Sequence, residues 1–366
     1  MKEIKVYLQY PWKFPDSPYY KYLTENPPKS LLFLNAEKQK GVITNIKRFR
    51  FLNSLKNFIR FTTNLLRVPI PNAYKTKTNE KYDLIHCAHC LSLNKTPWVM
   101  DIEDYWQFWI SGKRSKLAQR MVKKILLSEN CKKILPWSEF SKQRILNVFP
   151  ELKEKIEVVY PAVPFKGKEE KKEKPLRILY ASRYFWIKGG LMALETLKMI
   201  KEKFPMTEII FISDVPEEIK MKYKGITFKD VLPQKKLFTY LKDSDIFFYP
   251  SLIDTFGFLI LEAMSFGVPT LAVYHAWGTH SVKEIIEDGK NGFLVEFKKD
   301  WLEYYKIGND EKELIKRLFE KLSLMVQDKK LRRKMSEECI KIIKNGKFSI
   351  QRRNKKLRKI YEESMK

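Results

Sequence analysis

Residues 176–182, LRILYAS, lead into 190–204, GLMALETLKMIKEKF, and then into 207–213, TEIIFIS. A short apolar run, an amphipathic helix pattern and a second short apolar run follow one another, and the succession recurs downstream. It passes through PQKKLFTYLKDS (233–244), DIFFYPS (245–251), FGFLILEAMSFG (256–267), VPTLAVY (268–274), SVKEIIEDG (281–289) and GFLV (292–295). Strands alternating with helices at this spacing predict βαβ units and a parallel, doubly wound sheet.

The first half carries the same alternation less clearly: EIKVYLQY (3–10), a helical stretch near 46–66, DLIHCA (83–88), PWVMDIE (97–103), a helix at 113–128, KKILPWS (132–138), a helix at 139–148 and IEVVYPA (156–162). Between the halves, PFKGKEEKKEKP (164–175) is a charged run bounded by prolines that can bury nothing, so it reads as a solvated linker. The expected organisation is α/β: a Rossmann-like domain over 1–164, a linker over 165–175, a second Rossmann-like domain over 176–345, and a basic helix over 346–366 packing back on the first domain. Two such halves are expected to hold a ligand at the carboxyl ends of their strands.

A chain of 366 residues with 44% apolar content is long enough for two cores. The N-terminus MKEIKVYLQY has no signal-peptide apolar block, and no stretch reaches the roughly 18 apolar residues of a membrane span. The expectation is a cytoplasmic protein. Four cysteines, Cys87, Cys90, Cys131 and Cys339, are too few and too scattered for a disulfide framework. The formal charge of +28 attracts polyanions, whether nucleic acid, anionic lipid or phosphorylated small molecules, and charge alone does not choose among them. A Lys-rich proteome that solvates its surfaces with lysine accounts for it equally.

The richest segment chemically is YPSLIDTFGFLILEAMSFGVPTLAVY (249–274). Asp254 and Glu262 flank seven residues, with Thr255, Phe256 and Gly257 leading into a helix that carries Glu262. A glycine at a helix entry lets backbone N–H groups approach a phosphate, and the helix N-terminus adds partial positive charge. A carboxylate two turns along then reaches ribose hydroxyls. The plainer alternative is a capped core helix, with Asp254 as the cap and Glu262 facing solvent.

This segment resembles the signature of the family 4 retaining glycosyltransferases, an acidic residue, seven intervening residues and a glutamate. The resemblance extends upstream to ILYASRYFWIKGG and LKDSDIFFYPS and downstream to EIIEDGKNGFLV, covering most of 176–296 in the family's order. It implies the GT-B fold, two Rossmann-like domains facing an interdomain cleft. The C-terminal domain would bind a nucleotide diphosphate sugar and the N-terminal domain a glycan or lipid-linked acceptor, with retention at the anomeric carbon. It places Arg183 and Lys188 on the donor diphosphate, where two cations stabilise charge growing on the leaving group. Asp254 falls on the sugar, Glu262 on the ribose, and Glu284 on the family's later glutamate, with Thr255, Phe256 and Gly257 as donor contacts. No metal and no cofactor is expected.

Departures from the family pattern are informative. Asp254 stands where glutamate is usual, so a shorter carboxylate must reach the sugar or leave that task to the amides of Thr255, Phe256 and Gly257. Gly278-Thr279-His280-Ser281 replaces a Gly-Gly pair, and YPWKFPDSPYY (10–20) replaces a glycine-rich loop. Glu103, in PWVMDIEDYW, holds the place of the family's sugar-proximal histidine. Beside Asp101 and Asp104, it is either a general base or stabiliser of cationic sugar character, or a turn former. His86-Cys87-Ala88-His89-Cys90 suggests zinc, but on a strand its four ligands point to opposite faces and cannot converge without a break. Asp243-Ser244-Asp245 lies between a helix and a strand, and a metal is not expected there either.

In the first half, IKRFRFLNSLKNFIRFTTNLLRV (46–68) sets Phe51, Leu52, Leu55, Phe58, Ile59 and Leu65 at three- and four-residue spacing among basic residues, and GKRSKLAQRMVKKILLSE (112–129) adds a second basic helix. Such helices either lie in an anionic lipid interface or pack on the sheet with a cationic rim. The leading expectation is hexose transfer to a glycan or lipid-linked acceptor, peripheral on the inner membrane face, with nucleic acid not expected as a partner. The alternatives are a sugar-nucleotide epimerase or phosphorylase on the same scaffold, and a non-catalytic basic protein that binds membranes or polyanions.

Overall fold

The computed structural model describes residues 3–11, 17–36, 68–111, 115–167, 175–275, 281–297 and 309–366, with isolated positions between 54 and 65. Trp12, Phe14, most of 46–68, and Gly278 to His280 lie outside the described residues. The chain forms two compact units, Met1–Ala162 with Ile350–Lys366, and Val163–Ser349.

In the first unit, strands β1 (Ile4–Gln9), β2 (Leu31–Leu34), β3 (Leu84–Ala88), β4 (Trp98–Ile102) and β5 (Cys131–Pro136) form one five-stranded sheet in the order β2-β1-β3-β4-β5. Every pairing is parallel. All residues of β3 and β4 are buried, as expected of parallel strands covered on both faces. Helices among its described residues include α1 (Pro18–Glu25), α2 (Lys116–Leu126) and α3 (Glu139–Val148). Each opens on a serine, Ser17, Ser115 or Ser138, whose hydroxyl accepts from an amide of the first turn. The Ser115 cap explains why α2 begins at Lys116 rather than at 113.

The second unit has six strands, β6 (Arg177–Ala181), β7 (Glu208–Ile212), β8 (Thr227–Lys229), β9 (Ile246–Tyr249), β10 (Thr270–His275) and β11 (Gly292–Phe297). Their order is β8-β7-β6-β9-β10-β11, again all parallel. Helices α4 (Gly190–Lys203), α5 (Gln234–Asp243), α6 (Phe258–Ser265), α7 (Val282–Ile285), α8 (Asn309–Gln327) and α9 (Lys329–Lys344) accompany the sheet. Ile178, Leu197, Phe211, Phe248, Val273, Leu318 and Met335 are among the buried side chains of its core.

The division differs from the expected one by a few residues at both ends, for local reasons. Lys166 donates its amide to the Ser265 carbonyl at 3.1 Å, which draws the start of the linker into the second unit. Phe348 is buried and faces Phe256 at 6.3 Å, so 346–349 stays there too. The last helix, α10 (Ile350–Ser364), joins the first unit. There Arg353 donates to the Asn26 carbonyl at 2.6 Å and Tyr361 meets His86 Nδ1 at 2.6 Å.

Candidate active site

In the second unit the strand order read from the sheet's first strand is 3-2-1-4-5-6, and the direction of winding reverses between β6 and β9. Open α/β sheets bind ligands at the carboxyl ends of the strands flanking such a reversal. The loops leaving β6 and β9 are Ser182–Gly189 and Pro250–Gly257, which carry Arg183, Lys188, Asp254, Thr255, Phe256 and Gly257.

Both loops end on a glycine with positive φ, Gly189 at 73° ahead of α4 and Gly257 at 103° ahead of α6. Neither helix has a side-chain cap; in the first turns the Gly190 amide donates to the Phe185 carbonyl at 2.8 Å and the Ile260 amide to the Gly257 carbonyl at 3.0 Å. A side chain at Gly189 would collide with the Pro250 carbonyl oxygen, so the two loops touch through backbone there.

Lys188 and Asp254 are brought together. Lys188 Nζ lies 3.0 Å from Asp254 Oδ2 and donates also to the Ile253 carbonyl. The Tyr249 hydroxyl, at the end of β9, donates to the same Asp254 oxygen, and the Phe256 amide donates to Asp254 Oδ1 at 3.1 Å. Burial alone would push the Asp254 carboxyl up, but Lys188, Tyr249 and the Phe256 amide outweigh it and hold the group below its ordinary value. Burial and the neighbouring carboxylate push the Tyr249 hydroxyl well up. Arg183 is half-buried, its guanidinium 5.8 Å from the Tyr184 ring centroid.

Glu262 is buried at 6% exposure, against the alternative of a solvent-facing residue, and its Oε1 accepts from Gln234 Nε2 at 2.6 Å. Phe256 contributes its side chain to the core, beside Phe258 and Phe348, and its amide is already bound to Asp254. The Thr255 carbonyl accepts from Ser281 Oγ at 3.0 Å, which ties the Asp254 loop to the start of α7. Glu284 sits half-buried on α7, and its carbonyl accepts from Lys347 Nζ at 2.9 Å. Asp243 and Asp245 hold Arg177, through its guanidinium at 3.3 Å and its amide at 2.9 Å, which makes them a latch on β6.

The order of the first unit, 2-1-3-4-5, reverses between β1 and β3, and His89 lies one residue beyond the end of β3. Its φ is 57°, uncommon for a residue with a side chain, and this is the break in the strand that the zinc reading required. The histidines nevertheless converge on carboxylates. His86 Nε2 is 3.2 Å from Asp101 Oδ2, and His89 Nε2 is 3.4 Å from Glu103 Oε1. The His89 amide donates to Asp101 Oδ1 at 3.3 Å, and the Tyr20 hydroxyl donates to the same oxygen. Burial would raise the Asp101 carboxyl, yet His86, His89 and Tyr20 together hold it low. Asp104 caps the turn at Tyr105 and pairs with Arg144 at 3.3 Å. Of the three acidic residues, Asp101 and Glu103 both face the His89 ring, at 3.9 Å from Nδ1 and 3.4 Å from Nε2, and Asp104 is turned to Arg144.

Among the described residues no group of three or more His, Cys, Asp or Glu side chains is arranged to hold a metal ion. His89, Gln234 and Tyr249 are site residues the sequence did not single out in these roles.

Residues 164–306 match the family model described as glycosyl transferases, group 1. The chain is 34% identical over 126 residues to the sulfoquinovosyl transferase SQD2 of Arabidopsis thaliana, covering 33% of this chain and 24% of that one. It is 27% identical over 239 residues to an uncharacterized 41.2 kDa protein in the cps region of Klebsiella pneumoniae, covering 62% of this chain and 60% of that one. The chain therefore spans about a quarter of the length of the one and 60% of the other. In structure it is similar to Anabaena Alr3699/HepE in complex with UDP-glucose, with a TM-score of 0.59 and 13% identity over 99% of this chain and 100% of that one. The second unit is thus similar over residues 164–306 to the group 1 glycosyl transferases, and the fold of the chain is that of the GT-B glycosyltransferases.

Proposed function

We propose that the protein transfers a hexose from a nucleotide diphosphate sugar to a glycan or lipid-linked acceptor, with retention of anomeric configuration. One observation carries the donor half of this reading. The loops that lead into two glycine-opened helices meet at Gly189 and Pro250 and through Lys188 and Asp254 at the reversal of the second sheet, where amides and a cation suit a diphosphate, while Glu262 lies along α6 for the ribose. A UDP-sugar is the favoured donor, since the structural relative HepE binds UDP-glucose.

On the acceptor side the reading assigns Glu103, with His89, to the acceptor hydroxyl at the open end of the first sheet. A lipid-linked acceptor is favoured by apolar side chains exposed within cationic sequence. Phe58, Phe61 and Leu65, at helical spacing, are 65% to 69% exposed, and Leu117 and Met121 stand beside Arg120 and Lys124 on α2. No described helix is long and apolar enough to cross a membrane.

The test is thermal shift of the protein against UDP-, GDP- and ADP-sugars, where a ligand at a hundred times its Kd stabilises by roughly 2.7 kcal/mol. Incubation of the best donor without acceptor separates transfer from epimerisation. Absence of any nucleotide-dependent shift would refute the reading. Flotation with anionic and with neutral liposomes at physiological salt decides the lipid-linked acceptor, and equal flotation would point to a soluble glycan.

A further inference from the structure

We infer that Tyr361, on the last helix, is a positioning residue for the acceptor end of the first sheet, acting through His86 and Asp101 on His89, a role that rests on the acceptor-site reading above. His89 and Glu103 are 15% and 16% exposed, whereas Asp101, His86 and Tyr361, in that order behind them, are buried to 1% or less. Tyr361 thus ends a line of polar groups that starts at the open end of the sheet and crosses β4 and β3 to reach α10.

The placing of protons along this line follows from what each group can do. Asp101 is held anionic and only accepts, so a hydrogen on His86 Nε2, 3.2 Å from its Oδ2, is favoured over a lone pair facing the charge. His86 Nδ1 is then bare, and it accepts from the Tyr361 hydroxyl at 2.6 Å. A cationic ring would instead donate from Nδ1. The buried Tyr361 O–H, which has no other hydrogen bond among the described residues, would then lack an acceptor. One hydroxyl on α10 therefore selects the tautomer that His86 presents to Asp101.

Asp101 passes that setting on by two routes. Its Oδ1 accepts from the His89 amide at 3.3 Å and from the Tyr20 hydroxyl, and the Tyr20 ring stands edge-on to the His89 ring with centroids 5.4 Å apart. His86 Nε2, Asp101 Oδ2 and both ring nitrogens of His89 are buried and make no well-directed hydrogen bond among the described residues, keeping only ionic contacts at 3.2 to 3.9 Å. Native interiors leave few polar atoms in that state, and catalytic contacts are often loose until a substrate tightens them. His89 is the end at which an acceptor hydroxyl can do so, and Tyr361 is the fixed end.

The chain has four histidines, His86, His89, His275 and His280, so long-range proton–nitrogen spectra of histidine-labelled protein read each ring separately, with His86→Gln and His89→Gln to assign the signals. Wild type should show His86 neutral with its proton on Nε2. In Tyr361→Phe, His86 should lose that single tautomer and the His89 ring signals should move with it, while UDP affinity in calorimetry stays at the wild-type value. Turnover of the donor chosen by thermal shift, with water and with n-octyl glucoside as acceptors, should fall by roughly tenfold, the scale of one buried polar group left unmet. If wild-type His86 is cationic or carries its proton on Nδ1, the inference is overturned. It is overturned as well if Tyr361→Phe leaves the His89 signals in place, since any loss of turnover would then come from structural damage and the contact would only pack α10. Wild-type turnover in both His89→Gln and Glu103→Gln would sink the acceptor-site reading and the role of Tyr361 with it, an outcome told apart from the others because it does not involve Tyr361.

Discussion

Gly189 offers the sharpest test of how the donor loop is built, because a second glycine in the same unit separates the two costs that a side chain would meet there. Gly189 has φ 73° and Gly289 has φ 76°, so an added Cβ faces nearly the same backbone strain at either position. A left-handed conformation costs an L-residue about 1–2 kcal/mol. The surroundings differ. At Gly289 nothing lies within 4 Å of the Cβ, whereas at Gly189 the Cβ falls well inside contact distance of the Pro250 carbonyl oxygen and 3.1 Å from Met192 Cε. A backbone carbonyl at the end of β9 cannot rotate aside as a flexible side chain does, so α4 or β9 must shift. Overpacking of that kind adds typically 1–3 kcal/mol. Gly289→Ala should therefore destabilise by about 1–2 kcal/mol and Gly189→Ala by about 2–5 kcal/mol.

Urea unfolding of both variants and wild type under identical conditions supplies the comparison, with donor titration alongside. Gly189→Ala should also weaken donor binding, since the shift moves Lys188, the adjoining residue. Gly289→Ala should leave donor affinity at the wild-type value, because its added Cβ meets no atom within 4 Å and so displaces neither donor loop. Equal losses of stability in the two variants would refute the claim that the loops meet through backbone at Pro250.

Glu262→Gln should weaken nucleoside diphosphate binding by at least about tenfold, the cost of a charged hydrogen-bonding partner to ribose, and an unchanged Kd in calorimetry would exclude the ribose role. Arg183→Ala should lower kcat by roughly 2–4 kcal/mol of barrier, and a rise in KM with kcat intact would show that Arg183 only binds. Asp101 is held below its ordinary value in the folded protein, so its contribution is complete above the unfolded carboxyl pKa of about 3.9 and is lost as pH falls through the lower folded value. The stability gap between wild type and Asp101→Asn should thus be full at neutral pH and close in acid, below about pH 4. A gap that persists there would mean Asp101 acts by shape and not by charge.

The doubly wound pattern was legible because its cause is local. Strands such as IFFY, buried along their whole length, and helices such as α4, apolar toward the sheet, are written into short windows of sequence. The first half was read less surely for an equally physical reason. Its sheet pairs β1 with the far-removed β3, and strand order is a property of pairing across long separations that no window contains. Pairing also decides where a sheet reverses, and so where its ligand end opens. Without the order 2-1-3-4-5, nothing in the text of DLIHCAHC marks His89 as lying at that point.

Side-chain commitment is a further step removed from the sequence. The family resemblance put Asp254 and Lys188 in one site, but the partners that occupy Asp254, Tyr249 on the preceding strand and the amide two residues on, depend on how far a one-methylene side chain reaches. The HCAHC run shows the same limit from the other side. Strand alternation argues against convergence, the left-handed turn at His89 removes that objection, and the two histidines then meet Asp101 and Glu103 rather than each other. Asp101 sits on β4, a neighbour of β3, and its burial makes a partner obligatory, because a carboxylate removed from water costs several kcal/mol unless it is paired. At Asp101 that partnering comes from His86, His89 and Tyr20, on β3, just beyond it and on α1, three places that no reading of one strand alone brings together.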